Sequence, residues 1–422
     1  MTSEARAPRE AYVWTWLPDR VDPVVAGRLA ATPAGLQFNY GQSYLAREEA
    51  VPLYLPELPL QPSLLPLPTG LSMPGCLRDA APDAWGRRVI LNRLLGQAGR
   101  DADTAILDEL SYLLQSGSDR IGALDFQASP SQYIPRQGDG APLEELMESA
   151  ELVERGLPLS PALAEAIQHG TAIGGARPKA TLWDKGRRWI AKFSSSTDVQ
   201  PVVKLEFLAM RLAALVGLDV APVKLMHVAG KDVLLVERFD RVMHVDGQWR
   251  RRGQVSALTL LALDEMMAAY ASYEDLAEII RHRFERPRVA LHELFGRLVF
   301  NILCGNTDDH ARNHAAFWDG TRLSLTPAYD ICPQPRAGQE ATQAMKILGD
   351  RRFSRLTLCV EAAPHFQLSR EEARGIIDAQ LSAIRAHWQA ICGEAGLGEA
   401  ERNALWGRQF LNPFGLQDYL EA

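Results

Sequence analysis

The chain has 422 residues, 47% hydrophobic and 23% charged, a composition that excludes a disordered or fibrous protein and admits about two to three domains. Its formal net charge of −7 removes any global electrostatic case for binding nucleic acid, leaving only local basic patches. Five scattered cysteines (Cys76, Cys304, Cys332, Cys359, Cys392), odd in number and never spaced CxxC, argue for reduced thiols and against a zinc site. The first residues carry no apolar signal region, and no run approaches eighteen uncharged apolar residues. The expectation is a soluble cytoplasmic protein with no membrane partner.

Residues 1–130 predict a small front domain. YVWTWL and VVAGRLAATPAGLQFNYG alternate as strands do, and VPLYLPELPLQPSLLPLP (51–68) runs extended because proline neither continues a helix nor donates to a central ladder. DAWGRRVILNRLLGQAG predicts an amphipathic helix closed by glycine. A polar break ends this region, with a linker expected over 131–142. A helix is predicted near 143–155, and ATLWDKGRRWIAKF (180–193) predicts a hairpin around its DKGR turn. VVKLEFLAMRLAALVG (202–217) puts Leu205, Leu208, Ala209, Leu212 and Leu215 on one helical face, with Gly217 as a stop. PVKLMHV and DVLLVERF predict two more strands joined by AGK, and from about 254 the chain reads as mainly helical. The fold class is therefore α+β: a strand-rich lobe over 143–240, then a helical lobe over 241–422.

The densest polar cluster lies in the second lobe. LHELFGRLVFNILCG (291–305) predicts a core-facing helix ended by Gly305. AAFWDGTRLSL (315–325) predicts a hairpin around Asp-Gly. Between them runs NTDDHARN, and Asp330 follows the hairpin. Helix, Asp-x4-Asn loop, hairpin and Asp is the order of parts in the helical lobe of a protein kinase. Asp308 lies five residues before Asn313 and takes the position of the base that orients a hydroxyl nucleophile. Asn313 and Asp330 offer the hard oxygen ligands that suit Mg²⁺. Asp309, four before Asn313, is expected to be incidental. Each polar residue alone reads as an ordinary turn former. His310 and His314 have zinc-like spacing, but neither HExxH nor a cysteine pair accompanies them, so His310 is expected to buttress the loop.

The remaining kinase parts have candidates in the first lobe. Gly174, Gly175 and Ala176 precede Arg177-Pro178-Lys179; the pattern is neither Walker A nor GxGxxG and reads as a plain glycine turn or as a phosphate-covering loop with its lysine. Lys192 lies in the apolar strand WIAKF, where it either faces solvent or pairs with Glu206 on the following helix. Glu237-Arg238-Phe239-Asp240 ends the last strand of this lobe, either as a generic strand end or as the hinge for adenine. The basic run Arg250-Arg251-Arg252 reads as a solvated turn, or as a surface for an acidic partner or DNA.

GGARPKATL, WIAKF, LLVERFDR, GNTDDHARN and TPAYDIC, in that order, resemble the HipA family of serine/threonine kinases, toxins of bacterial toxin–antitoxin pairs. VVAGRL, LRDAAPDAWGRRVI and SDRIGALDF resemble the small N-terminal domain that precedes its kinase core. The resemblance implies a bilobal protein-kinase-like fold behind a small α+β domain, and an ATP- and Mg²⁺-dependent kinase acting on a protein hydroxyl. It assigns Asp308 as base, Asn313 and Asp330 as Mg²⁺ ligands, and Lys192 and Lys179 as phosphate contacts. Glu237 and Phe239 would hold adenine through their backbone, with Asp240 near the ribose. The family's usual partner is a small DNA-binding antitoxin, so DNA would be met only indirectly, and some members phosphorylate aminoacyl-tRNA synthetases. One departure bears on regulation. Where a well-known member has an autophosphorylated serine, seven residues before the loop lysine, this chain has Ala172, with Thr171 beside it. A small-molecule kinase and a non-catalytic antitoxin-binding scaffold are the alternatives; intact Asp308, Asn313, Asp330 and Lys192 argue against the second.

Overall fold

The alternating front segment folds as an antiparallel sheet in the computed structural model, which describes residues 7–96, 102–136, 141–168, 170–184, 186–195 and 198–420. Strands β1 (Glu10–Thr15), β2 (Val24–Thr32), β3 (Gly35–Tyr40) and β4 (Leu124–Gln127) lie in the order β3-β2-β1-β4. Helix α1 (Ala84–Leu95) starts at Asp83, whose carboxylate accepts from the N–H groups of Trp85 and Gly86. It ends at Gly96 in the left-handed region, as the sequence predicts. Helix α2 (Glu109–Gln115) precedes β4. Part of the expected linker is pinned: Tyr133 packs its ring against Trp14 and Trp16, and Arg136 pairs with Asp125 at 2.9 Å. Residues 137–140 of that linker lie outside the described residues.

Two helices follow, α3 (Leu143–Glu154) and α4 (Pro161–Gln168). The predicted hairpin forms as β5 (Lys179–Asp184) and β6 (Arg187–Phe193), paired antiparallel from Lys179 opposite Lys192 to Asp184 opposite Arg187. The strands β7 (Val223–Val228) and β8 (Lys231–Glu237) both form, and β8 pairs with β6. Trp85 and Val89 of α1 share one buried cluster with α3 and with Ala180, Trp189, Ala191, Phe193, Val233 and Leu235 of this sheet. A front-domain helix thus completes the core of the strand-rich lobe.

The chain divides into two compact units: 1–197 with 227–255 and 318–321, and 198–226 with 256–317 and 322–422. The second is mainly helical, with α5 (Val202–Leu215), α6 (Tyr273–Arg283), α7 (Pro287–Cys304), α8 (Leu356–Ala362) and α9 (Arg370–Glu394). Helix α7 is apolar nearly all round from Leu294 onward and is buried there on every side, which gives the site a rigid support. It stops at Gly305, φ 74°, where a Cβ would lie 2.5 Å from the Gln409 carbonyl oxygen; only glycine fits that approach. The predicted Asp-Gly hairpin is β12 (Ala315–Trp318) and β13 (Leu323–Leu325), preceded in the chain by the short strands β9 (Arg241–Met243), β10 (Trp249–Arg251) and β11 (Gly253–Ser256).

Candidate active site

Where α7 ends, the loop is built from its own backbone. Asn306 donates its N–H to the Asn301 carbonyl and its amide Nδ2 to Asn301 Oδ1, locking the exit from the helix. Ala344 N–H, on a later segment, donates to the Thr307 carbonyl. The Asp308 carbonyl is then bonded twice, by the His310 N–H at 2.9 Å and by Asn313 Nδ2 at 3.2 Å. Asp308 and Asn313 are thus joined directly, and the five-residue spacing read from sequence corresponds to one closed turn around Ala311–Asn313. The Asp308 side chain faces solvent while Asn313 is buried.

Asp330 is brought to the same loop by its neighbour. Tyr329 Oη donates to the Arg312 carbonyl at 2.7 Å, and Ala328 is tied on both sides to Asp219 and Ala221. Asp330 itself has φ 59°, a left-handed conformation uncommon for a residue with a side chain. Such strain persists where surrounding contacts over-determine it, and it clusters at functional sites. The electrostatics agree with this placement. Desolvation raises the Asp308 carboxyl above its ordinary range; His310 opposes the shift, and the negative charges of Asp330 and then Asp309 add to it.

Asp309 is not incidental. It is 3% exposed and accepts hydrogen bonds from Tyr273 Oη and from His314 Nε2, the latter at 3.1 Å. Burial alone would raise its carboxyl, but attraction to His314 and the two hydrogen bonds outweigh burial and hold it below the usual carboxylate range. The same contacts, with burial foremost, push the Tyr273 phenol well above its ordinary value. Adjacent aspartates therefore divide the work: Asp308 faces out, and Asp309 anchors the loop to α6 and to the strand that follows. His310 buttresses the turn through its backbone N–H and carbonyl, while its Nδ1 is buried without a hydrogen-bond partner. Among the described residues no group of three or more His, Cys, Asp or Glu is placed to hold a metal ion.

In the other unit, Gly174, Gly175 and Ala176 form an exposed loop tip ahead of β5. Lys179 is buried. Its side chain is 3% exposed and its ammonium donates to the Gly174 carbonyl, with Asp83 at 3.9 Å. It lies beneath the loop, so in this arrangement it braces the loop rather than presenting its charge to a phosphate. Lys192 stands half-buried on β6, opposite Leu234 of β8, and Glu206 is 3% exposed on α5. The side chain of Glu237 pairs with Arg187 at 2.6 Å, and Phe239 beyond it is half-buried.

Asp240 lies in a buried ion cluster. It is 2% exposed, and its carboxylate accepts from Arg238 at 2.9 and 2.7 Å, from Arg241 at 2.8 Å and from the Gly122 N–H at 2.7 Å. Three of these bonds fall on Oδ2 and one on Oδ1. In the same cluster Asp119 pairs with Arg238 and Arg241, tying the strand end to the front-domain loop. Part of the basic run is taken up by the fold as well. Arg250 donates to the Asp19 carbonyl, Arg251 stacks 3.5 Å from the Trp16 ring centroid, and the Arg252 N–H donates to the Asp240 carbonyl. Arg250 and Arg251 are thereby half-buried, while Arg252 stays exposed. Thr171 is 1% exposed, and its hydroxyl donates to the Gln168 carbonyl and accepts from the Gly117 N–H.

A buried helix delivering an Asp-x4-Asn loop, a hairpin and an Asp in strained conformation, together with a strand-rich segment carrying a glycine loop, defines a protein-kinase-like α+β fold. The chain belongs to the HipA family: the HipA-like C-terminal domain matches residues 171–388 and the HipA N-terminal domain matches residues 20–127. Y4mE of Sinorhizobium fredii, named a candidate kinase, is 28% identical over 319 residues, covering 70% of this chain and 71% of that one. The serine/threonine-protein kinase toxin HipA of Shewanella oneidensis is 27% identical over 184 residues, 38% of this chain and 42% of that. The solved complex of Shewanella oneidensis HipA, HipB and its operator DNA contains a chain matching at TM-score 0.65 and 20% identity over 94% of both, a likeness that shows the fold.

Proposed function

We propose that this protein is an ATP- and Mg²⁺-dependent serine/threonine kinase of toxin type that transfers the γ-phosphate of ATP to a protein hydroxyl. The observation that carries this reading is the closed Asp308–Asn313 turn with the Asp330 segment tied to it through Tyr329. In this reading Asp308 accepts the proton of the acceptor hydroxyl as it attacks. Its raised carboxyl suits a base that must take up a proton, and general-base assistance is worth roughly 10²–10⁴-fold. Asn313 and Asp330 would hold Mg²⁺. Two oxygen donors are the protein's usual share of such a site, since Mg²⁺ takes its remaining ligands from substrate phosphates and water. When bound, the ion neutralises charge on the phosphates. Lys192 contacts the phosphates with Glu206 as its counter-charge, the backbone of Glu237 and Phe239 holds adenine, and Gly174, Gly175 and Ala176 cover the phosphates.

The partner we propose is a small DNA-binding antitoxin, with DNA met only through it. Support comes from the Shewanella oneidensis HipA chain of like fold, which was solved together with HipB and its operator DNA. No helix among the described residues is long and apolar enough to cross a membrane, and we place the protein in the cytoplasm. The functional division remains a front domain over 1–130, a linker over 131–142, a first lobe over 143–240 and a helical lobe over 241–422.

The metal assignment has its own test. Asp330→Asn keeps the fold, because asparagine tolerates φ near +60°, but removes the charge that holds the metal. Isothermal titration of ATP with and without Mg²⁺ will show a gain in affinity with the metal for the wild type and none for Asp330→Asn. An equal gain in both would take Asp330 out of the metal site.

A further inference from the structure

The glycine-rich loop is held by the front domain at several points. Arg88 Nη2 donates to the Ala176 carbonyl at 2.6 Å, and Trp85 Nε1 donates to the Lys179 carbonyl at 2.9 Å. Asp83, the residue that caps α1, lies 3.9 Å from the Lys179 ammonium, which itself bonds the Gly174 carbonyl. At the loop's base the Gly117 N–H donates to Thr171 Oγ1 at 2.9 Å. A Cβ on Gly86 would lie 1.9 Å from the Thr171 carbonyl oxygen, so the backbone of α1 presses directly against the loop. Asp83, Trp85, Gly86 and Arg88 occupy the first turns of α1, whose Trp85 and Val89 are buried in the core of the strand-rich lobe.

Two of these contacts engage carbonyls at the loop tip, those of Gly174 and Ala176. In a trans peptide the carbonyl of one residue and the N–H of the next point opposite ways. With the Gly174 and Ala176 carbonyls engaged by Lys179 and Arg88, the N–H group of Gly175 points away from the Lys179 ammonium and that of Arg177 away from Arg88. Successive N–H groups turned one way form the concavity that receives an anion. We infer that the first two turns of α1 are part of the nucleotide site: Arg88 and Trp85 are positioning residues that fix the loop's carbonyls and so aim its N–H groups at the polyphosphate of the nucleotide. The front domain then acts in catalysis as well as in any partner contact. This inference rests on the kinase reading above.

The test is direct binding of Mg·ATP and of adenosine, by titration calorimetry, to the full-length wild type, Arg88→Ala, Arg88→Lys and Gly86→Ala, with thermal melts run alongside. Arg88 lies at the surface end of its contact, so its removal leaves the core intact. Losing a charge-assisted hydrogen bond that orders the loop is expected to weaken Mg·ATP about tenfold, leave adenosine unchanged, and be largely restored by lysine. Gly86→Ala, which displaces the loop's base, should weaken Mg·ATP at least as much with adenosine again unaffected. A wild type that binds Mg·ATP together with Arg88→Ala and Gly86→Ala variants that bind it equally well would overturn the inference and leave the kinase reading standing. A wild type that binds neither ligand would overturn both.

Discussion

Asp308→Asn will lower phosphoryl transfer by roughly 10²–10⁴-fold, the usual worth of a positioned base, while the protein melts no lower than wild type. The second half of that expectation follows from the raised Asp308 carboxyl. A carboxyl raised on folding has its ionised form disfavoured in the native state, so above the ordinary carboxylate range the native protein carries a penalty that the unfolded chain does not. Asparagine removes that penalty. The stability difference between variant and wild type should therefore be present at neutral pH and vanish as the pH falls below the ordinary aspartate range, where Asp308 is protonated in both states. Paired thermal melts at pH 7 and in acid, alongside a transfer assay, check both halves. A variant that loses activity only because it unfolds would refute the assignment.

The neighbouring residue should behave in the opposite way. Asp309→Ala leaves Tyr273 Oη and His314 Nε2 without their acceptor in a fully buried setting. Each buried donor left unsatisfied costs about 1–3 kcal/mol, so a loss of about 2–6 kcal/mol is expected in urea unfolding. Asp309→Asn keeps one acceptor oxygen and should fall between the wild type and alanine. The sign with pH also reverses. Asp309 is held below the ordinary range, so its contribution is present at neutral pH and is lost as the pH falls through its lowered value. Two adjacent aspartates thus separate catalysis from stability. If Asp309→Ala unfolded at the same urea concentration as wild type, the buried network would have no structural weight.

The contrast between these residues also marks how far sequence reasoning reaches. Helix α7, its glycine stop, the Asp-Gly hairpin and the five-residue spacing of Asp308 and Asn313 are local patterns, and each forms where its period or turn chemistry places it. The role of Asp309 is set by Tyr273, 36 residues earlier, and a short window holds no trace of that pairing. The partners of Asp240 are hidden for the same reason, because they include Gly122, 118 residues away. Lys179 reads as a phosphate ligand because the sequence does not show that Gly174 and Asp83 close over its ammonium. Arg250 and Arg251 read as solvated because their acceptors and aromatic partner come from the front sheet and its loops, whereas Arg252 is exposed as read. A burial signal is nevertheless present: Asp309 and His314 at i, i+5, flanking a closed turn, follow a helix that is apolar nearly all round from Leu294 onward.

The buried ion cluster around Asp119, Arg238, Asp240 and Arg241 illustrates the same limit in energetic terms. Burial raises the Asp119 carboxyl, yet Arg238, Arg241 and Arg251 together hold it well below the usual range. Breaking such a pair from one side leaves a buried charge without its partner, which costs about 3–5 kcal/mol. The segment after β8 is consequently fixed to the front-domain loop. Fixation there, and the bracing of the glycine loop by α1, give the small front domain a structural part in both ends of the proposed nucleotide site.

The central claim is transfer of phosphate to protein, and one measurement addresses it directly. Purified wild type, Asp308→Asn and Asp330→Asn are each incubated with γ-labelled ATP and Mg²⁺ in a bacterial lysate cleared of endogenous kinase activity, and the proteins are separated. The account predicts one or a few labelled protein bands with wild type, label on serine or threonine after hydrolysis, and none of these bands with either variant. Identical labelling by all three proteins, or no labelling by a wild type that binds Mg·ATP, would contradict it.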